Sequence, residues 1–135
     1  LYNAGIANYN LIKLSSVIPK SSKIIVKKID WNNKEHGYKL YVVISENTQC
    51  TKGEETWAWL GWMQDKTGKG LFVEHEGRTE KEVKKYISDS LTRMREYRTV
   101  KYGKINIKVV GIKCKHKPSC ALIAAVFKSE GWKNG

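Results

Sequence analysis

The sequence predicts an α+β fold in which a mainly antiparallel sheet carries helical structure on its face. Three observations predict it. The segment from Thr79 to Tyr97 has helical periodicity, strand-like runs lie both before and after it, and polar turns rich in glycine separate those runs. The 135 residues are 41% hydrophobic and 28% charged, with only two prolines. That composition supports a packed core and differs from that of a disordered chain. With no linker, repeat or low-complexity tract, one domain over 1–135 is expected.

The elements follow in order. Leu1 to Ile6 reads as the tail of a helix, with Gly5 near its end. Asn10 to Val17 reads as a strand, built on Leu11, Ile12, Leu14 and Val17 and stopped by Pro19. Lys23 to Ile29 is a second short strand by its isoleucine and valine content, and Asp30 to Gly37 is a polar turn. Tyr38 to Glu46 is β-branched and aromatic, hence a strand. Thr56 to Met63 alternates in part, with Trp57 and Trp59 on one side, and Asp65 to Gly70 is a hairpin loop leading into a strand from Leu71 to Glu76.

Thr79 and Glu82 then have capping-box spacing, which satisfies free backbone donors in a helix's first turn. Val83, Tyr86, Ile87, Leu91, Met94 and Tyr97 recur at three- and four-residue steps on one face. Lys84, Lys85, Asp89, Arg93 and Arg95 occupy the other. Ile105 to Cys114 alternates as a strand, and Cys120 to Phe127 is a buried one.

The net charge is +12, from 25 basic against 13 acidic residues. Only Arg78, Arg93, Arg95 and Arg98 are arginines, and the lysines are spread along the chain. Lysine is a solvated point charge and arginine the paired phosphate reader, so the charge describes a soluble surface and nucleic acid is an unlikely partner. The longest apolar run, Ala121 to Phe127, cannot span a bilayer. No leader pattern opens the chain, and Leu1 is not an initiator, so a longer N-terminus is expected. Cys50, Cys114 and Cys120 form an odd set, which favours a reducing, cytoplasmic setting. Cys114, His116 and Cys120 match no familiar zinc spacing, so no metal is expected.

The informative stretch runs Asn8-Tyr9-Asn10-Leu11-Ile12-Lys13-Leu14-Ser15-Ser16-Val17-Ile18-Pro19. A Ser-Ser pair alone carries little, and Ser21-Ser22 reads as a turn. In context, Leu1 to Pro19 resembles the pyruvoyl-dependent arginine decarboxylases, in which a helix ending in N-A-G-I-x-N-x-N-L-I runs into a strand carrying S-S-x-x-P. Gly70-Leu71-Phe72-Val73-Glu74-His75-Glu76-Gly77 is similar to the family's strand bearing its catalytic glutamate. The capped helix from Thr79, and Ser119-Cys120-Ala121 with the apolar strand after it, continue the likeness in order.

The resemblance implies a four-layer αββα sandwich that assembles as a trimer or dimer of trimers, with sites between subunits. It also implies a zymogen that cuts itself. The Ser16 hydroxyl would attack the Ser15 carbonyl, and elimination followed by hydrolysis would leave a covalent pyruvoyl group where Ser16 stood. The products would be chains 1–15 and 16–135. That cofactor would form a Schiff base with arginine and act as an electron sink, giving agmatine and carbon dioxide for polyamine biosynthesis. No other cofactor is implied.

By the same resemblance Glu74 returns a proton, which calls for a raised pKa on a half-buried strand. Glu76 shares its face by alternation, where like charge helps. Asn10 and Ser15 would line the substrate pocket. Trp57, Trp59 and Trp62 fit packing better than a pocket wall. The family's acidic residue that meets the guanidinium lies upstream of the segment matching Leu1, outside this sequence. Two other readings stand beside this one: an unprocessed, inactive homologue serving as a structural or regulatory subunit, and a small basic RNA-binding module.

Overall fold

The computed structural model describes residues 1, 3–30, 32–49, 53–96, 103–114 and 119–133. Its elements are β1 (Asn10–Lys13), β2 (Val17–Ile18), a 3₁₀ turn (Asn33–Glu35), β3 (Lys39–Gln49), β4 (Glu55–Gln64), β5 (Gly70–Gly77), α1 (Glu80–Glu96), β6 (Asn106–Lys113) and β7 (Ser119–Glu130). The class is α+β, with two sheets ordered β1-β3-β7 and β2-β5-β4-β6. Among the described residues every ladder is antiparallel except the parallel pair of β1 and β3.

The two sheets stack face to face. Period-2 alternation sends Val43 from β3 and Leu60 and Phe72 from β4 and β5 into the space between them, where they meet Ile18 and Phe127. The opposite face of the four-stranded sheet takes α1, whose Val83, Ile87 and Leu91 are fully buried against Trp59, Met63 and Leu71. Each such side chain contributes about 1.5–3 kcal/mol by leaving water. Close approach of the helix depends on two glycines. A Cβ on Gly61 would lie 2.2 Å from Ile87, and one on Gly77 would lie 2.3 Å from Val83. Thr79 caps α1, its hydroxyl accepting the Glu82 N–H at 3.3 Å.

The outer face of the three-stranded sheet buries Leu40 and Val42 under Ile6. Residues 3–5 form a turn: the Ile6 N–H donates to the Leu1 carbonyl at 3.2 Å, and Gly5 has φ +76. A bond of this span over a left-handed residue is the kind found at helix ends, but the described residues here are turn and not the expected helix tail. The site also excludes a side chain, because a Cβ on Gly5 would sit 2.3 Å from the Ile29 carbonyl oxygen.

Three further expectations change. The single strand over Asn10 to Val17 is two strands in different sheets, β1 and β2. Leu11 packs on the outer cluster and Ile18 between the sheets, and one strand cannot serve both. Lys23 to Ile29 forms no strand. Ile24 enters the inter-sheet core while Ile29 lies beside Gly5 on the outer side, so the segment wraps past the sheet with Ile25 exposed at 68%. Tyr86 does not join the buried helix face; it is 54% exposed and stacks on His75 with ring centroids 4.5 Å apart. Cys50, Tyr97 and His116 lie outside the described residues, and of Met94 and Arg95 only the backbone is described.

Candidate active site

Leu14, Ser15 and Ser16 form the step by which the chain leaves one sheet and enters the other. The step is tied at both ends. The Leu14 N–H donates to the Val42 carbonyl at 2.8 Å, and the Ser16 carbonyl accepts the Phe72 N–H at 2.7 Å. Its backbone is therefore anchored to β3 on one side and to β5 on the other. Leu14 and Ser15 are exposed and Ser16 is half-buried, which leaves the Ser15–Ser16 peptide open to solvent on one side.

β5 supplies the second component. Leu71 and Val73 face α1, whereas Phe72 faces the other sheet, so Glu74 and Glu76 share the Phe72 face. The β2 ladder pairs Val17 with Leu71 and Ile18 with Gly70 and then ends. Beyond it Glu74 is uncovered, and the Ser16 hydroxyl donates to Glu74 Oε2 at 3.3 Å across 58 residues of sequence. This is longer than a strong hydroxyl–carboxylate bond, and catalytic contacts commonly tighten only with substrate bound. Sequence reasoning expected Glu74 on a half-buried strand. In this chain both Glu74 and Glu76 are exposed, because β2 is two residues long and covers only the start of β5.

Asn10 does not join this pair. It opens β1 opposite Lys39, and its side-chain amide donates to the Gly37 carbonyl at 2.7 Å. The four steps from Asn10 to Leu14 along the extended chain separate it from the serine step by about 13 Å. Its surroundings are charged. Glu130 accepts from Lys39 and Lys128, both at 2.8 Å, and these two hydrogen-bonded cations bring its carboxyl down to about 2. Tyr9, the neighbour of Asn10, donates its hydroxyl to Glu35; desolvation first, then that bond, push the phenol up to about 12.

The tryptophans serve packing. Trp59 is in the core against α1, Trp57 lies half-buried beside it, and Trp62 meets Phe72 with centroids 6.4 Å apart. A cavity of about 820 Å³ opens beside Trp62, Phe72, Phe127 and the Lys23–Lys27 segment; neither Ser16 nor Glu74 lines it. Among the described residues no three His, Cys, Asp or Glu gather where they could hold a metal ion, and no helix is long and apolar enough to cross a membrane.

Two groups at the site escaped sequence reasoning. The Phe72 N–H, which holds the Ser16 carbonyl, is a backbone donor and leaves no mark in residue type. Ser45 is fully buried at 1% exposure, and its hydroxyl donates to the His75 carbonyl at 2.6 Å. Its signal was available: a small polar residue at an inward position directly after the apolar run from Leu40 to Ile44.

One relative, pyruvoyl-dependent arginine decarboxylase 2 of Archaeoglobus fulgidus, is 28% identical over 79 residues, a stretch covering 57% of this chain and 50% of that protein. The chain thus aligns with half the length of that relative. The model of the pyruvoyl-dependent arginine decarboxylase family matches residues 1–131, and with nearly every residue inside that match the chain belongs to this family.

Proposed function

We propose that this chain is a self-processing, pyruvoyl-dependent amino-acid decarboxylase acting on arginine. One observation carries the reading: the Ser16 hydroxyl and the Glu74 carboxylate meet at 3.3 Å although 58 residues separate them. A serine hydroxyl is a weak nucleophile, and a carboxylate within reach can accept its proton as the oxygen attacks. The Phe72 N–H on the Ser16 carbonyl at 2.7 Å fixes the residue's orientation while the neighbouring Ser15 carbonyl is attacked. Cutting there yields residues 1–15 and 16–135.

The residues present suit a pyruvoyl group in place of Ser16, since the Glu74 carboxylate and the Phe72 N–H, both on β5, already converge on that position. Such a group supplies an electron sink for loss of carbon dioxide from an amino acid. Around it, Ser15 becomes a carboxylate terminus, and Glu74 holds the proton that the product carbon must receive. Asn10 offers a neutral amide to the substrate. It stands at the far end of β1 from Ser16, so one substrate reaches both only if Asn10 comes from a second copy. A homo-oligomer, a trimer or dimer of trimers with its sites between subunits, would meet that requirement.

A denaturing intact mass of the purified protein tests the reading, with Ser16→Ala as comparator. Two species for the parent chain, 1–15 and 16–135 with a blocked terminus, and one uncut species for the variant are expected. A parent chain that stays intact overturns the reading in favour of an unprocessed homologue.

A further inference from the structure

We propose that Ser45 is a positioning residue for Glu74; the inference rests on the decarboxylase reading above. β3 turns Val43, Ser45 and Asn47 toward the four-stranded sheet. Val43 packs in the inter-sheet core, but the next two inward positions are polar, and each grips a carbonyl of β5. The Ser45 hydroxyl donates to His75 O at 2.6 Å, and the Asn47 amide donates to Gly77 O at 3.2 Å. His75 lies between Glu74 and Glu76, so the Ser45 bond takes hold of the strand one residue from the carboxylate that meets Ser16.

This stretch of β5 needs such a hold. Its ladder with β4 pairs Glu74 with Leu60 and His75 with Trp59, while on the other edge β2 has ended at Leu71. A strand paired on one edge can still tilt out of the sheet plane, carrying Glu74 toward or away from Ser16. A hydrogen bond from the facing sheet opposes that motion. The Ser45 hydroxyl is buried, where it gains nothing from the hydrophobic effect, so this bond is its contribution. The neighbouring tie at Asn47 holds the same strand farther from the reacting carboxylate, on the far side of Glu76.

The test compares the full-length parent chain with Ser45→Ala and Asn47→Ala. Cleavage rate is followed by intact mass, and kcat, KM and the pH profile are measured with arginine. Ser45→Ala keeps the side-chain volume nearly unchanged and leaves the His75 carbonyl opposite Trp59 in its ladder, so the variant folds. We expect cleavage and kcat each to fall about tenfold, since small misplacements of a reacting group cost that much or more. KM should stay within about twofold, and the acid limb of the pH profile should move. Asn47→Ala should lower the thermal midpoint and leave cleavage and kcat at parent values. Parent-like rates and pH profile in Ser45→Ala, or an equal loss in Asn47→Ala, would overturn the positioning role alone. A parent chain that is never cut would overturn the decarboxylase reading, and the role of Ser45 with it.

Discussion

The two halves of β5 behave as different materials. Gly70 and Leu71 are buried and paired on both edges, with β2 on one side and β4 on the other, and the buried Phe72 pairs with β4 and donates its N–H to the Ser16 carbonyl. Glu74 to Gly77 are paired in the described ladders with β4 alone, and both glutamates are exposed. The first half is where apolar side chains leave water on both faces of the sheet. The second half leaves the Glu74 carboxylate within reach of the Ser16 hydroxyl. Buried packing and exposed carboxylates are thus separated along eight residues, and the border is the Phe72 N–H that holds Ser16.

The comparison breaks most visibly at Phe72, which joins Val43, Leu60 and Phe127 between the sheets. Phe72→Ala should cost about 3–5 kcal/mol in urea unfolding, and a loss under 1 kcal/mol would mean that this half is not the anchor. Next in size is Glu74→Gln. Cleavage should slow by about 10²-fold in a time course followed by mass, while the thermal midpoint stays near that of the parent. A fall in stability without a change in cleavage would reverse the assignment of the two halves. Thr79→Ala, which removes the cap of the helix packed behind β5, should cost about 1 kcal/mol and leave cleavage unaltered.

The smallest effect lies at the Asn10 end of the molecule. The folded Glu130 carboxyl is lowered from 4.5 to about 2 by its hydrogen bonds to Lys128 and Lys39. Folding therefore favours the ionised form, a contribution present above pH 4.5 and lost as pH falls toward 2. Exposure to solvent keeps it modest. Glu130→Gln should flatten the acid side of the stability curve over that window in thermal melts, and an unchanged slope would remove Glu130 as its source.

Legibility followed the range of the interactions. The helix from Thr79, with its cap and its Val83, Ile87 and Leu91 stripe, was readable because capping and helical periodicity act within four residues. The strands over Tyr38–Glu46, Thr56–Met63 and Leu71–Glu76 were readable from alternation and β-branched content, and each matches an observed strand to within a few residues. Tyr86 fits the periodic stripe yet lies outside the core, since it packs on His75 of β5, which past the end of β2 is paired in the described ladders on one edge alone. The break between β1 and β2 and the unpaired path of Lys23–Ile29 were invisible, because they depend on which of two sheets each apolar residue finally serves.

The sequence by itself determined the α+β class, most of its elements in order, and the Ser-Ser and Glu-His-Glu segments on which the resemblance to the family was read. These rest on local backbone preference and on residue identity. Only the tertiary structure decided that Ser16 meets Glu74, that Asn10 stands apart from them, and that Ser45 is pinned to His75. Those relations join residues 58 positions apart in the first case and 30 in the last. They depend on strand register and on the stacking of two sheets, and a shift of one residue in either would send the same side chains to opposite faces.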